Sequence, residues 1–252
     1  TAAQLRGRRP TLAEGGAMER PRLLDLFCGA GGSSVGFDRA GFEVTGVDIR
    51  PQPHYPFQQR CIQADALEYL TAHGHEFSAI AASPPCQAFT AYRRRGAGVG
   101  ENYPDLIGVT RDLLRELGGV WVIENVPGAP LCLPAQLCGS SFGLDIRRHR
   151  LFETSWPIFS SPECDHGWQT PRFPQATNRT NLRSTVEVGV RRIPLDIQRR
   201  AMDIDWMTRE ELSQAIPPAY TRWLGEQMHT ARASQQTAGL PPSPASLDAG
   251  PN

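Results

Sequence analysis

The sequence contains no lysine, so all 26 of its basic residues are arginine. A GC-rich coding genome is one expected source of that bias, and arginine's preference for phosphate and base edges the other. The bias also means that any phosphate or base edge this chain meets is met by arginine's planar fork. No excess charge of either sign is present, since 26 acids balance the arginines. A globally basic nucleic-acid binder is thereby excluded, although the balance fails locally. Residues 147–200 hold ten arginines against five acids, a basic stretch of the kind that phosphate backbones attract. No apolar run approaches the length needed to cross a bilayer, so no membrane partner is expected. The six cysteines (28, 61, 86, 132, 138, 164) have no regular spacing, which excludes a disulfide framework. With no secretory leader read at the start, a reducing cytoplasmic setting is expected. There is no internal repeat.

What is present is a βα alternation. Near-continuous apolar runs at 22–27, 43–49, 79–83 and 120–125 read as strands covered on both faces. Helical spacing fills 33–40, 66–72 and 105–117, the last with Leu106, Val109, Leu113, Leu114 and Leu117 on one stripe. A further strand pair is expected around 147–153, and helices at 195–202 and 217–229. The expected fold class is therefore α/β and Rossmann-like. A catalytic domain at 21–154 and 190–230 flanks a small, mostly irregular insert at 155–189. Residues 1–20 read as a mobile leader and 231–252 as a disordered tail.

Two features carry chemistry. The first strand, Leu23 to Phe27, runs into Cys28-Gly-Ala-Gly-Gly32, where glycines let the backbone turn sharply and approach a ligand. The loop departs from the dinucleotide fingerprint, because Ser34 stands at the third glycine position. Asp48 ends the next strand, where an acid can take both ribose hydroxyls. Ile49 is placed to lie against adenine and Asp65 to accept from its amino group. S-adenosylmethionine suits this set.

The second feature is Ala81-Ala-Ser-Pro-Pro-Cys-Gln-Ala-Phe-Thr90. Two prolines break a buried strand and hold Cys86 at its end on stiff backbone. Thirty-eight residues on, the run Val120–Ile123 ends in Glu124-Asn-Val-Pro127. A thiol and a carboxyl at one sheet edge point to covalent catalysis.

From Arg22 to about Met228 the chain resembles the DNA (cytosine-5) methyltransferases. DLFCGAGG (25–32) is similar to their cofactor loop, and GVDIRP (46–51) and QADA (63–66) to their acid-bearing strand ends. SPPCQAF (83–89) resembles the nucleophile loop, IENVPG (123–128) the glutamate motif, and RRHRLFE (147–153) a Q-x-R-x-R element. The resemblance implies Cys86 as nucleophile, Glu124 as the acid at cytosine N3, and Arg150, supported by Arg148, near the base carbonyl. It implies S-adenosylmethionine held by Phe27, Gly29, Gly31, Gly32, Asp48, Ile49, Asp65, Ala66 and Pro85, with Gln214 as a further contact. Two positions depart from the pattern: Ile146 replaces glutamine, and Ser213-Gln214 replaces Gly-Asn.

The implied reaction is methyl transfer to carbon 5 of a flipped cytosine in duplex DNA. The implied partner is DNA, with no obligatory protein partner, and a monomer of the short phage or bacterial type. The alternatives are a tRNA cytosine-5 methyltransferase and a non-catalytic DNA-binding regulator. A short insert suggests a site of about two to four base pairs, read by Arg, Asn and Thr of 172–185 in the major groove. Arg93-Arg-Arg95 is a candidate phosphate contact. Trp156, Phe159, Trp168 and Phe173 are expected to form the insert's small core. Cys164-Asp-His166, even with Cys132 and Cys138, contains no C-x-x-C pair, so no metal is expected.

Overall fold

A computed structural model describes residues 19–86, 105–167, 169–170 and 183–238. Its centre is a seven-stranded sheet in the order β3-β2-β1-β4-β5-β7-β6. Strands β1 (Arg22–Leu26), β2 (Glu43–Asp48), β3 (Cys61–Gln63), β4 (Ala79–Ala82) and β5 (Val120–Asn125) run parallel. β7 (Arg150–Thr154) lies antiparallel between β5 and β6 (Ala135–Leu137). The chain winds outward from β1 to β3 and returns on the far side of β1 to form β4. That reversal makes the C-terminal ends of β1 and β4 the switch point, where open α/β sheets form a crevice.

Alternation along the strands explains why both faces are covered. Leu23, Ala79, Ala81, Val120 and Val122 point to one face, where they meet Phe37 of α1 (Gly32–Arg39) and aromatic and aliphatic groups near the C-terminus. Leu24, Leu26, Ile80, Ala82, Trp121 and Ile123 point to the other, against Leu70 of α2 (Ala66–His73) and Leu114 of α3 (Ile107–Leu117). Every one of these strand residues is buried. The stripe that α3 buries is Ile107, Thr110 and Leu114, whereas Val109 and Leu117 are exposed. Leu114 of the expected stripe is buried and Leu113 packs against the same core, but docking on the sheet turns the buried face toward Ile107 and Thr110 and leaves Val109 and Leu117 outside.

Three further helices follow: α4 (Leu195–Met202), α5 (Arg209–Gln214) and α6 (Pro218–Ala238). Helix α5 is not among the helices expected from spacing, although Thr208 and Glu211 form a capping box at its start. Helix α6 packs on α1 at near-backbone distance. A Cβ on Gly36 would fall on Thr221 and the Pro218 carbonyl, and one on Gly225 would meet Ala40.

Two expected boundaries change. Residues 231–238 are not a disordered tail but the last turns of α6. Ala231 packs on the core, the Arg232 guanidinium lies over the Phe42 ring, and no glycine or proline interrupts until Gly239. Arg20, assigned to the mobile leader, ties the start of the sheet to Asp38, Gly41 and Phe42. Within the insert, β8 (Gln169–Thr170) and β9 (Arg183–Ser184) form a two-stranded parallel sheet. Trp156 packs against the main core, while Phe159 is 94% exposed and belongs to no core. The described start of the insert thus packs on the main core through Trp156 and Ile158. Trp168, Phe173, most of 172–185 and Arg93 to Arg95 lie outside the described residues. Among the described residues no helix is long and apolar enough to cross a membrane.

Candidate active site

The glycine loop closes through backbone geometry. Phe27 (φ +59°), Gly29 (φ +49°) and Gly31 (φ +81°) take left-handed conformations, and a bulky Phe there is strained. The Cys28 amide donates to the Val47 carbonyl at 3.1 Å, which ties the loop to the end of β2. Gly31 sits against the buried Tyr55 ring, and Gly32 against the Ile216 carbonyl; a Cβ at Gly32 would lie 2.5 Å from that oxygen. Around Gly29, by contrast, a Cβ would meet nothing. The loop is therefore packed from below and open above.

Asp48 faces this opening. Its Oδ2 accepts from the Gly29 amide at 2.9 Å and its Oδ1 from the Arg50 amide at 2.9 Å. Each carboxylate oxygen keeps a second lone pair. Ile49, beside it, is 65% exposed, an uncovered apolar surface at the sheet edge. Asp65 caps α2, with Oδ1 accepting from Leu67 and Glu68, and Ala66 is buried behind it. An open glycine turn, a diol-sized carboxylate and an exposed aliphatic side chain fit a nucleoside with a flexible tail. S-adenosylmethionine fits that description. Gln214 is exposed at the end of α5, and its segment meets the loop through Ala215 and Ile216 instead.

Cys86 and Glu124 lie at the adjacent strand ends. Pro84 is buried, and its carbonyl accepts from the Asn125 side-chain amide at 3.0 Å, so β5 clamps the loop that carries Pro85 and Cys86. Cys86 is half-buried and unpaired. Burial pushes its thiol above the ordinary value and the Glu124 charge adds to this, while Arg150 and Arg148 oppose it. Burial likewise raises the Glu124 carboxyl, against the pull of both arginines and a Ser83 hydrogen bond. The Arg150 Nε lies 3.0 Å from Glu124 Oε1, with both side chains largely buried. Arg148 points to the carbonyls of Ala215 (2.8 Å) and Ser213 (2.7 Å), and its own carbonyl accepts from Tyr220. The four expected catalytic residues thus share one electrostatic neighbourhood.

Asp25 opens the glycine motif and has no expected role in it. It is fully buried under the loop, accepts from Ser34 Oγ at 2.5 Å, and burial raises its pKa to about 7. Nor was a role expected for Tyr55, which no motif marks, or for Asn125, which sits inside the IENVPG string. Ile146, standing where the Q-x-R-x-R pattern has glutamine, is buried against Ala30 and Met202.

A profile of the C-5 cytosine-specific DNA methylase family matches residues 21–129. The Type II methyltransferase M.HgiGI of Herpetosiphon aurantiacus is 32% identical over 125 residues, spanning 44% of this chain and 94% of that protein. M.XorII of Xanthomonas oryzae is 32% identical over 126 residues, 44% of this chain but 29% of its own length. Among solved structures, the Entamoeba histolytica methyltransferase EhMeth superposes with a TM-score of 0.55 at 13% identity, covering 84% of this chain and 99% of that one.

Proposed function

Because the chain belongs to the C-5 cytosine-specific DNA methyltransferase family, we propose that it methylates carbon 5 of cytosine in duplex DNA through a transient Cys86 adduct. The observation that carries this reading is the Cys86, Glu124 and Arg150 group beside the glycine loop. S-adenosylmethionine, held by Phe27, Gly29, Gly31, Gly32, Asp48 and Ile49, supplies an electrophilic methyl group when bound.

Carbon 5 of cytosine is electron-poor and needs activation. The Cys86 thiolate adds to carbon 6, and the ring's π electrons shift so that carbon 5 becomes nucleophilic. Protonated Glu124 donates to N3, which takes up the negative charge. Once carbon 5 carries the methyl group, its proton leaves to solvent water, the electron pair of the C5–H bond expels the Cys86 thiolate from carbon 6, and N3 returns its proton to Glu124. The electrostatics of the pair suit this order. An ionised Glu124 adds to the burial that keeps Cys86 a thiol; with the proton on Glu124 that repulsion is gone, and burial alone opposes the pull of the two arginines toward the thiolate. Moving one proton from sulfur to carboxyl therefore arms both groups together.

A base inside a duplex is out of reach, so the target must be flipped out at a cost of about a few kcal/mol, offset by phosphate and insert contacts. The insert is short, and we expect it to read about two to four base pairs. DNA carrying 5-fluorocytosine tests the reading, because fluorine cannot leave as a proton does. A covalent complex that requires S-adenosylmethionine and is lost in Cys86→Ala is the expected result. Equal trapping by Cys86→Ala would overturn the nucleophile, and methyl transfer to tRNA but not duplex DNA would overturn the substrate.

A further inference from the structure

Away from the glycine loop, four potential metal ligands converge. The ligand atoms of Cys138, His149, Cys164 and His166 all lie within 4.8 Å of one another. Cys138 Sγ is 3.2 Å from His166 Nε2, and Cys164 Sγ is 3.3 Å from His149 Nε2. Each imidazole nitrogen thus faces a sulfur, and each sulfur a nitrogen. The two rings stand 5.4 Å apart with their planes 56° to each other, so they neither stack nor block the centre.

We propose that these four side chains form a structural zinc site. Bonds of about 2.0–2.1 Å to nitrogen and about 2.3 Å to sulfur give a tetrahedron with edges of roughly 3.3–3.8 Å. The observed separations need only small side-chain shifts to reach it. Two thiolates and two imidazoles are the donor set that selects tetrahedral zinc. With all four positions filled by protein, no site remains for water or substrate, so the ion serves structure rather than chemistry. Binding removes the thiol protons of Cys138 and Cys164 to solvent. The Cys138 thiol then gives up its donation to the Arg147 carbonyl, and Ser140 Oγ remains as a donor to the sulfur at 3.2 Å.

The position of the cluster gives it a purpose. Cys138 follows β6 at the sheet edge, and Cys164 and His166 lie in the first part of the insert. His149 stands between Arg148 and Arg150. The chain turns sharply here, with Arg148 at φ +21°, and the side chains part: the neighbouring arginines turn toward Ala215 and Glu124 while His149 turns toward Cys164. A metal here would join the insert to the catalytic sheet and fix the register of the two arginines at once. The inference stands on the geometry of the cluster and does not depend on the proposed reaction.

The test is metal content of the full chain, purified after zinc supplementation and then desalted. About one zinc per chain is expected, as a closed four-ligand site holds a single ion. Cobalt(II) in its place should show the absorption of a tetrahedral thiolate complex. Cys164→Ser and His166→Ala, whose side chains are not in the core, should each fold and lose most of the zinc and the cobalt spectrum. Cys132→Ser, an exposed cysteine outside the cluster, should retain both. Less than about a tenth of an equivalent of zinc in the parent, a Cys138–Cys164 disulfide in its place, or full retention by Cys164→Ser would each overturn the proposal.

Discussion

The two halves of the sheet are built on different terms. On the β1–β5 side, each functional group sits within a few residues of its own strand, and its position follows from local backbone. Glycines shape the loop after β1, prolines stiffen the loop after β4, and Glu124 is still a strand residue of β5. On the β6–β7 side, groups far apart in sequence hold one another. Arg111 of α3 grips Glu153 of β7 through two 2.7 Å bonds, and Glu153 also accepts from the Cys132 amide. The Cys/His cluster gathers residues from 138 to 166. Chemistry is written in short motifs on one side; on the other, side-chain pairs across long separations keep that chemistry in place.

Substitutions can break this contrast. The largest expected effect is Glu124→Gln, which should lower methyl transfer by about 10²–10⁴-fold through loss of the acid. Yet removing the charge that raises Cys86 should make its thiol more reactive, shifting the pH profile of alkylation downward. If alkylation is unchanged while activity falls, the two groups are not coupled. On the opposite side, Arg111→Ala takes the two-bond partner from a carboxylate that is only 3% exposed, leaving it the Cys132 amide and Arg115 at 3.9 Å. Although burial raises Glu153, Arg111 and the Cys132 amide hold it below the ordinary value. The loss should be about 3 kcal/mol in urea unfolding.

Asp25 sharpens the comparison, since it is buried like Glu153 but has no cation. Its folded pKa of about 7 lies above the usual carboxylate range. The unfolded chain therefore releases this proton first, and stability is lost as pH rises from about 4 to about 7, by up to about 1.4 kcal/mol per unit. Asp25→Asn should flatten that slope in melts taken across the window; an unchanged slope would assign it to other groups. The smallest effect is expected at Phe159, where a nearly fully exposed ring predicts that Phe159→Ser changes stability by less than about 0.5 kcal/mol.

Much of the fold was legible. The run Val120–Asn125 is a strand over its full expected length, and Leu195–Met202 a helix over its own, because buried parallel strands and amphipathic helices leave a periodic trace. The end of α6 was misjudged because Gln, Ser and Ala read as low complexity until Ala231 is seen to pack on the core. Cys28-Gly-Ala-Gly-Gly32 and Pro84-Pro-Cys86 were readable for a related reason: strained or stiff backbone needs glycine or proline, and few other residues substitute.

The amino-acid order by itself therefore determined where reactive groups would lie along the chain, since each depends on neighbours one to four positions away. Only the tertiary structure decided that Cys138, His149, Cys164 and His166 meet, that Arg111 faces Glu153, and that Asp25 lies dry beneath the loop. Those contacts carry no fixed spacing. The first two arise when β7 inserts antiparallel between β5 and β6 and brings distant segments together, and the third when the start of α1 closes over the end of β1 and Ser34 donates to Asp25.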